Sequence, residues 1–343
     1  MAKSREYWRN RFELLLNAEL NKSETYLADM EKVYIRTMSE IDKDIAKWYI
    51  RFATNNEISL SEAKQLLKTD ELKEFRWTVE EYIQYGEKNA LNQKWMKQLE
   101  NASARVHISR LESLQIQLQQ HVEKLYGGQI NAVEQLMKDT YQSTYLHTAF
   151  EIQSAFGIGF TMHVIDDKKL DRIIRKPWTT DRLTFSDKIW RDKQLLVNTL
   201  HTELIQSIAR GQAPDKVIST ISKKLNTSRS NAARLVMTES AFFSASAQKE
   251  SFNELKVERY EIVATLDRKT SLICRSMDGK VFKMSEFEPG ITANPFHPYC
   301  RTTTVPYFED DYSRRIARAS DDKVIYIDSK IKYPEWEKRF VAV

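Results

Sequence analysis

The chain reads as an α+β protein, predominantly long helices followed by a small antiparallel β module near the C-terminus. Three observations carry this. Apolar residues recur at steps of three and four through the first half, the period of a helix with one buried face. Only 8 glycines and 7 prolines serve 343 residues, and Pro289, Pro295, Pro298 and Pro306 gather in one late block. Runs rich in β-branched residues with apolar alternation begin only after Val257.

Taken in order, Leu27, Met30, Tyr34, Met38, Ile41, Ile45, Trp48 and Phe52 lay one stripe along a long helix that starts near Ser4. Its face fits either a helical hairpin within the chain or a coiled coil with another chain. Thr54-Asn55-Asn56 breaks the pattern, and Ser59 with Glu62 forms a capping box that restarts a helix. A second helical stretch runs from about Ala102 to Ala155 with Leu111, Leu114, Leu118, Val122 and Leu125 as its stripe. Gly127-Gly128 ends or kinks a helix there, and Gln115, Gln117, Gln119 and Gln120 form an uncharged polar face. Asp166 to Asp181 reads as a short helix and a turn at Lys176-Pro177-Trp178. Ser186 is the expected N-cap of the next helix, with Phe185 and Trp190 as a hydrophobic staple. That helix stops at Gly211, Pro214 opens another, and a third begins after Thr227-Ser228. Tyr260 to Thr265 is a strand, Asp278-Gly279 a hairpin turn with Lys280 to Phe282 as its return, and Thr302 to Val305 a third strand. One more strand is expected at Val324 to Ile327. The expected organisation is an elongated helical region over 1–160, a second helical part over 161–256, a β module over 257–308 and a tail over 309–343.

Composition narrows the function classes. The apolar fraction is 41%, enough for packed cores, and 29% of residues are charged. No apolar run approaches the ~18 residues of a membrane span. Glu13 and Glu19 flank the short apolar run of the N-terminus, which does not read as a signal peptide. Two cysteines without such a signal point to the reducing cytosol of the producing cell. A net charge of +5 permits nucleic-acid contact without demanding it.

The densest chemistry lies between Thr265 and Phe308, which holds both cysteines. Cys274, His297 and Cys300 form a Cys…His-x-x-Cys set whose thiolate and imidazole donors suit zinc, with Asp267 or Asp278 as a possible fourth ligand. The same residues also fit a buried structural knot, a Cys274–Cys300 disulfide outside the reducing cell, or a Cys274–His297 nucleophile–base pair. No glycine-rich oxyanion site accompanies Cys274, so no enzyme is expected. Glu239 is a candidate buried acid for Arg301 or Arg268. Arg172, Arg175, Lys176, Arg182, Lys188, Arg191 and Lys193, interleaved with Trp178 and Trp190, are the candidate nucleic-acid contacts. Gly-Gln-Ala-Pro and the helices after it allow a helix-turn-helix with Arg229 and Arg234 on phosphates.

The order Thr-Leu-Asp, Cys, Asp-Gly-Lys-Val-Phe and Pro-Phe-His-Pro-Tyr-Cys-Arg-Thr-Thr-Thr resembles the C-terminal signature of phage minor head proteins. This is the phage Mu F-like head morphogenesis family of tailed bacteriophages. Upstream, Arg172 to Trp178, Phe185 to Trp190, Ala209 to Gln212 and Arg234 to Ser240 fall in the order that family shows, so the resemblance covers about Asp166 to Phe308. On this resemblance, Asp267, Asp278, Gly279, Pro298, Arg301 and Glu239 belong to the shared structural motif. It further implies a minor capsid protein associated with the portal vertex, with portal, major capsid or scaffolding protein and double-stranded DNA as partners, and no membrane. Its expected place is the host cytoplasm during assembly and then the virion head.

Overall fold

The computed structural model describes residues 3–52, 58–89, 91–157, 159, 162–163 and 165–308, together with the backbone of 314–318 and 324–328. Thr54-Asn55-Asn56 and the apolar C-terminal end lie outside the described residues. The chain forms two compact units. One comprises Met1–Leu27, Val133–Pro177 and Ala233–Val343; the other comprises Ala28–Ala132 and Trp178–Ala232. Three long helices, α1 (Arg5–Phe52), α6 (Gln129–Phe156) and α9 (Pro214–Glu254), contribute residues to both. Among the described residues no helix is long and apolar enough to cross a membrane.

In the second unit the expected stripe of α1 is buried by the chain itself at Met30, Tyr34, Ile41, Ile45 and Trp48. Ser59 caps the four-residue α2 (Leu60–Ala63) through the expected capping box. Helices α3 (Thr69–Lys88) and α4 (Gln93–Ala104) share a core of Phe75, Val79, Tyr82, Trp95 and Leu99. Gly86 packs against the Met96 side chain, whose flexible end would have to move to admit a Cβ that would come within 2.4 Å of its sulfur. Helix α5 (Arg110–Gly127) starts at Ser109, whose hydroxyl accepts from the Glu112 N–H, and ends at the expected Gly127-Gly128 step. Its glutamine face is half-buried rather than solvent surface, and Gln120 is fully covered. Two polar links, one buried and one half-buried, hold α8 (Phe185–Ala209) within this unit. The Lys193 ammonium donates to both Glu123 carboxylate oxygens at 3.0 and 2.9 Å. Asp192 accepts from Tyr126 at 2.6 Å and from Ser228 at 2.8 Å. Each buried charge here has its partner, as a low-dielectric interior requires.

The first unit holds the β module. Strand β1 (Arg259–Ala264) is central, with β2 (Val281–Lys283) and β3 (Thr302–Pro306) antiparallel on either side. Ile262 faces Thr304 in the β1–β3 register and Tyr260 faces Phe282 in the β1–β2 register. Trp8 and Phe12 of α1, Phe252 of α9, and Tyr260, Ile262 and Val305 of the sheet form one core. Gln248 of α9 reaches the sheet, donating to Thr303 at 3.0 Å and accepting from Thr304 at 2.8 Å. Glu261 on the central strand is fully buried and is held by Arg5 at 2.6 Å on each oxygen and by Arg9, itself 2% exposed. The tail contains a two-stranded antiparallel pair, β4 (Arg314–Arg318) with β5 (Val324–Asp328).

Three expectations are corrected. Thr184, not Ser186, is the N-cap of α8, in a capping box with Asp187. Phe185 and Trp190 are therefore both inside the helix and form no staple across its cap. No break follows Thr227-Ser228, because α9 runs unbroken for 41 residues. The Thr227 and Ser230 hydroxyls each donate at 3.0 Å to the carbonyl four residues back, which satisfies them without ending the helix. With one continuous helix there is no helix-turn-helix at this position. Asp278-Gly279 is not a two-residue hairpin: β1 and β2 are joined through a short helix, α10 (Leu272–Met277), and Asp278 is its C-cap. Gly279 takes φ +75° as the chain turns into β2, a conformation that suits glycine.

Truncating Glu261→Ala leaves the buried Arg9 charge without its carboxylate. The expected loss is about 3–5 kcal/mol in urea-induced unfolding. A loss below about 1 kcal/mol would show that the pair does not fasten α1 to the sheet.

Candidate metal centre

The site is built from two short segments that flank the sheet. The first is α10, whose N-cap Ser271 accepts from the Cys274 N–H at 3.3 Å and so sets the cysteine in the first helical turn. The second is the proline-rich loop before β3. Tight backbone bonds such as Gly290 N–H to the Ala293 carbonyl at 2.8 Å shape it, and Tyr299 takes φ +59° between His297 and Cys300. Two prolines within four residues leave this loop few alternatives.

These segments bring Cys274, His297 and Cys300 together. Cys274 Sγ lies 3.1 Å from His297 Nε2 and 3.7 Å from Cys300 Sγ. Both thiols are free and buried, at 2% and 1% exposure, against Ala264 and Phe296. The other imidazole nitrogen, Nδ1, lies 2.7 Å from the Pro298 carbonyl oxygen. A carbonyl only accepts, so Nδ1 carries the proton and Nε2 offers its lone pair to the thiols. The Cys300 thiol is held down to about 6 by its hydrogen bond from Cys274, helped by donors at Phe296 and Thr302 and opposed by burial. The Cys274 thiol moves the opposite way, raised by its bond to Cys300 and by burial. The first proton of the pair thus leaves readily, and the one that remains is shared between the two sulfurs and leaves reluctantly.

A second layer braces the loop. Arg301 donates to both Asp267 oxygens at 2.6 and 2.9 Å. Burial alone would raise the Asp267 carboxyl, but Arg301, Thr270 and the Lys269 N–H outweigh it and hold it below its ordinary range. Thr265 donates to the Arg301 carbonyl at 2.7 Å, and Arg275 to the Thr270 carbonyl at 2.8 Å. Asp278, buried, accepts from the Ala264 N–H at 3.0 Å. Asp267 and Asp278 therefore serve the frame, and among the described residues neither joins the three-residue cluster as a fourth ligand. Pro298 contributes its carbonyl to the histidine. Glu239 is buried in α9.

The basic candidates are placed differently. Arg172, Arg175 and Lys176 are exposed at the end of α7 (Asp167–Ile174) and just beyond it, in the first unit. Lys188 and Arg191 belong to the second unit, where Lys188 lies over the Trp178 ring and donates to Thr179 at 3.0 Å. Lys193 is buried on Glu123. Sequence reasoning missed Ser271 and Tyr299. Ser three residues before Cys274 was a legible cap signal, whereas the positive φ of Tyr299 left no trace in residue type.

Residues 198–305 match the family described as Phage Mu protein F like protein, a span that runs from within α8 to β3 and contains the whole cluster. The chain is also 25% identical over 269 residues to the minor head protein GP7 of Bacillus phage SPP1, covering 73% of this chain and 86% of that protein. No solved structure matches it significantly.

The shared proton has a measurable sign. A thiol whose folded pKa is depressed stabilises the fold above its ordinary value and loses that contribution as pH falls through the folded one. Cys300 should therefore contribute fully above about 9 and nothing below about 6. Ultraviolet titration of the reduced, metal-free chain should show one thiolate forming near pH 6, absent from Cys300→Ser. If no thiolate forms until above about pH 8, the assignment is wrong.

Proposed function

We propose that this chain is a Mu F-like phage minor head protein that acts in head morphogenesis as a non-enzymatic assembly component. It joins the portal vertex during procapsid assembly in the host cytoplasm and stays in the virion head. The observation that carries this reading is the breadth of the likeness to the SPP1 minor head protein, which takes in 86% of that protein and extends well beyond residues 198–305. Long helices with buried stripes and a braced C-terminal module suit a protein whose work is to present surfaces to portal, coat or scaffolding subunits.

The non-enzymatic reading rests on the state of the thiols. A nucleophilic cysteine needs access and a depressed pKa. Cys274, the one beside the imidazole, is buried and shifted upward, while Cys300 is shifted downward but 1% exposed. Within this reading the cluster braces the module and is not an active site. Direct handling of packaged DNA is the second reading, favoured by the exposed Arg172, Arg175 and Lys176 of the first unit.

Tagging the chain in cells producing its phage and identifying co-purifying proteins by mass spectrometry tests the proposal. Portal and coat subunits, recovered in excess over this chain, are the expected result. Recovery alone, or with nucleic acid only, would overturn the portal-linked role. Binding to duplex DNA that weakens steeply with added salt would then favour the second reading.

A further inference from the structure

The two buried sulfurs and the imidazole nitrogen lie within 4.8 Å of one another, yet the thiols remain unlinked. Two thiols and a ring packed only as small apolar groups would not need such convergence. A tetrahedral ion with Zn–S near 2.3 Å and Zn–N near 2.0–2.1 Å places its ligands about 3.8 Å apart sulfur to sulfur and about 3.5 Å sulfur to nitrogen. The corresponding separations here are 3.7 and 3.1 Å. The sulfur edge already fits, the Cys274–His297 edge must open by about 0.4 Å when the Cys274 proton leaves, and the Cys300–His297 edge lies within 4.8 Å. A second observation is independent of these distances. The Pro298 carbonyl holds the proton on Nδ1, which is how metal-binding histidines are oriented and their free nitrogen made basic.

We infer that Cys274, His297 and Cys300 bind one zinc ion, and that its fourth position is left to a small exchangeable ligand such as water. Among the described residues no carboxylate supplies that position, since Asp267 is held by Arg301 and Asp278 by the Ala264 N–H. Beside Cys274 and His297 lies a recess of about 20 Å³, lined also by Thr265, Thr270, Ser271 and Tyr299. A single water needs about 10–15 Å³, so the recess has room for one. Binding forms two Zn–S bonds, and the protons still held by the two sulfurs leave to solvent. The ion would tie α10 to the loop before β3, joining segments that otherwise meet through the side chains around Asp267. This assignment does not depend on the head-assembly reading and can fail or stand without it.

The test uses the full chain, purified reduced, stripped with a chelator and titrated first with cobalt(II) and then with zinc. The expected outcome is about one cobalt per chain, intense sulfur-to-cobalt charge transfer, tetrahedral visible bands, and displacement by zinc. His297→Ala should weaken zinc binding by at least about 10-fold while keeping the helical circular dichroism. The wild-type spectrum decides the matter, because a Cys274→Ser/Cys300→Ser variant could lose its fold. Two free thiols by chemical count with no charge-transfer band overturn the site. Zinc binding that persists unchanged in the double cysteine variant overturns it equally.

Discussion

The buried carboxylate of Glu261 is the constraint on which the first unit rests. It sits on the central strand, and the two guanidinium groups that neutralise it come from the first turns of α1. An isolated carboxylate in such a place would cost several kcal/mol and would protonate instead. With Arg5 and Arg9 in place, the charge fixes which face of α1 meets the sheet and at what register. Trp8 and Phe12 are then committed to the core with Phe252 and Tyr260. A buried ion pair adds less net stability than apolar residues of equal volume would. Its contribution here is specificity: a sliding helix could still bury tryptophan and phenylalanine somewhere, but could not satisfy Glu261.

The same logic recurs in smaller form around the Cys274–His297–Cys300 cluster. The Arg301–Asp267 clasp lies between the end of β1 and the start of β3, the Asp278–Ala264 bond between the end of α10 and β1, and the Gln248 bonds between α9 and β3. Each closes a contact between elements that apolar packing alone would leave free to shift. A constellation held at ligand distance needs such bracing, since an ångström of play separates a binding site from a mere cluster.

How much of this was legible in the sequence depended on whether the cause was local. A helix with one buried face writes its period into consecutive residues, so the stripe from Met30 to Trp48 was readable, and so was the capping box at Ser59 and Glu62. Gly211 was readable because φ +61° past a helix end leaves little choice of residue. Misreadings arose where one residue type serves two roles. Thr227 and Ser228 look like a cap, but hydroxyls inside a helix can bond back to carbonyls or, as Ser228 does, to the half-buried Asp192. Helix α10 was too short to show a period, and only Ser271 marked it. For the site, His-x-x-Cys on a proline-locked loop was visible as a pair, and Cys274 joined it as a chemical guess. The clamp on Glu261 left no signature, because its partners are separated by 252 and 256 residues.

The interleaving of the two units has a consequence for how the chain comes apart. Residues 28–132 and 178–232 form one unit inside three segments of the other. No single cleavage can excise either unit intact, and no simple truncation yields one whole. During synthesis the N-terminal helix must wait for residue 261 to emerge before its arginines find their carboxylate. Until then Trp8 and Phe12 have no finished core to enter, and the nascent chain must shelter them by other means.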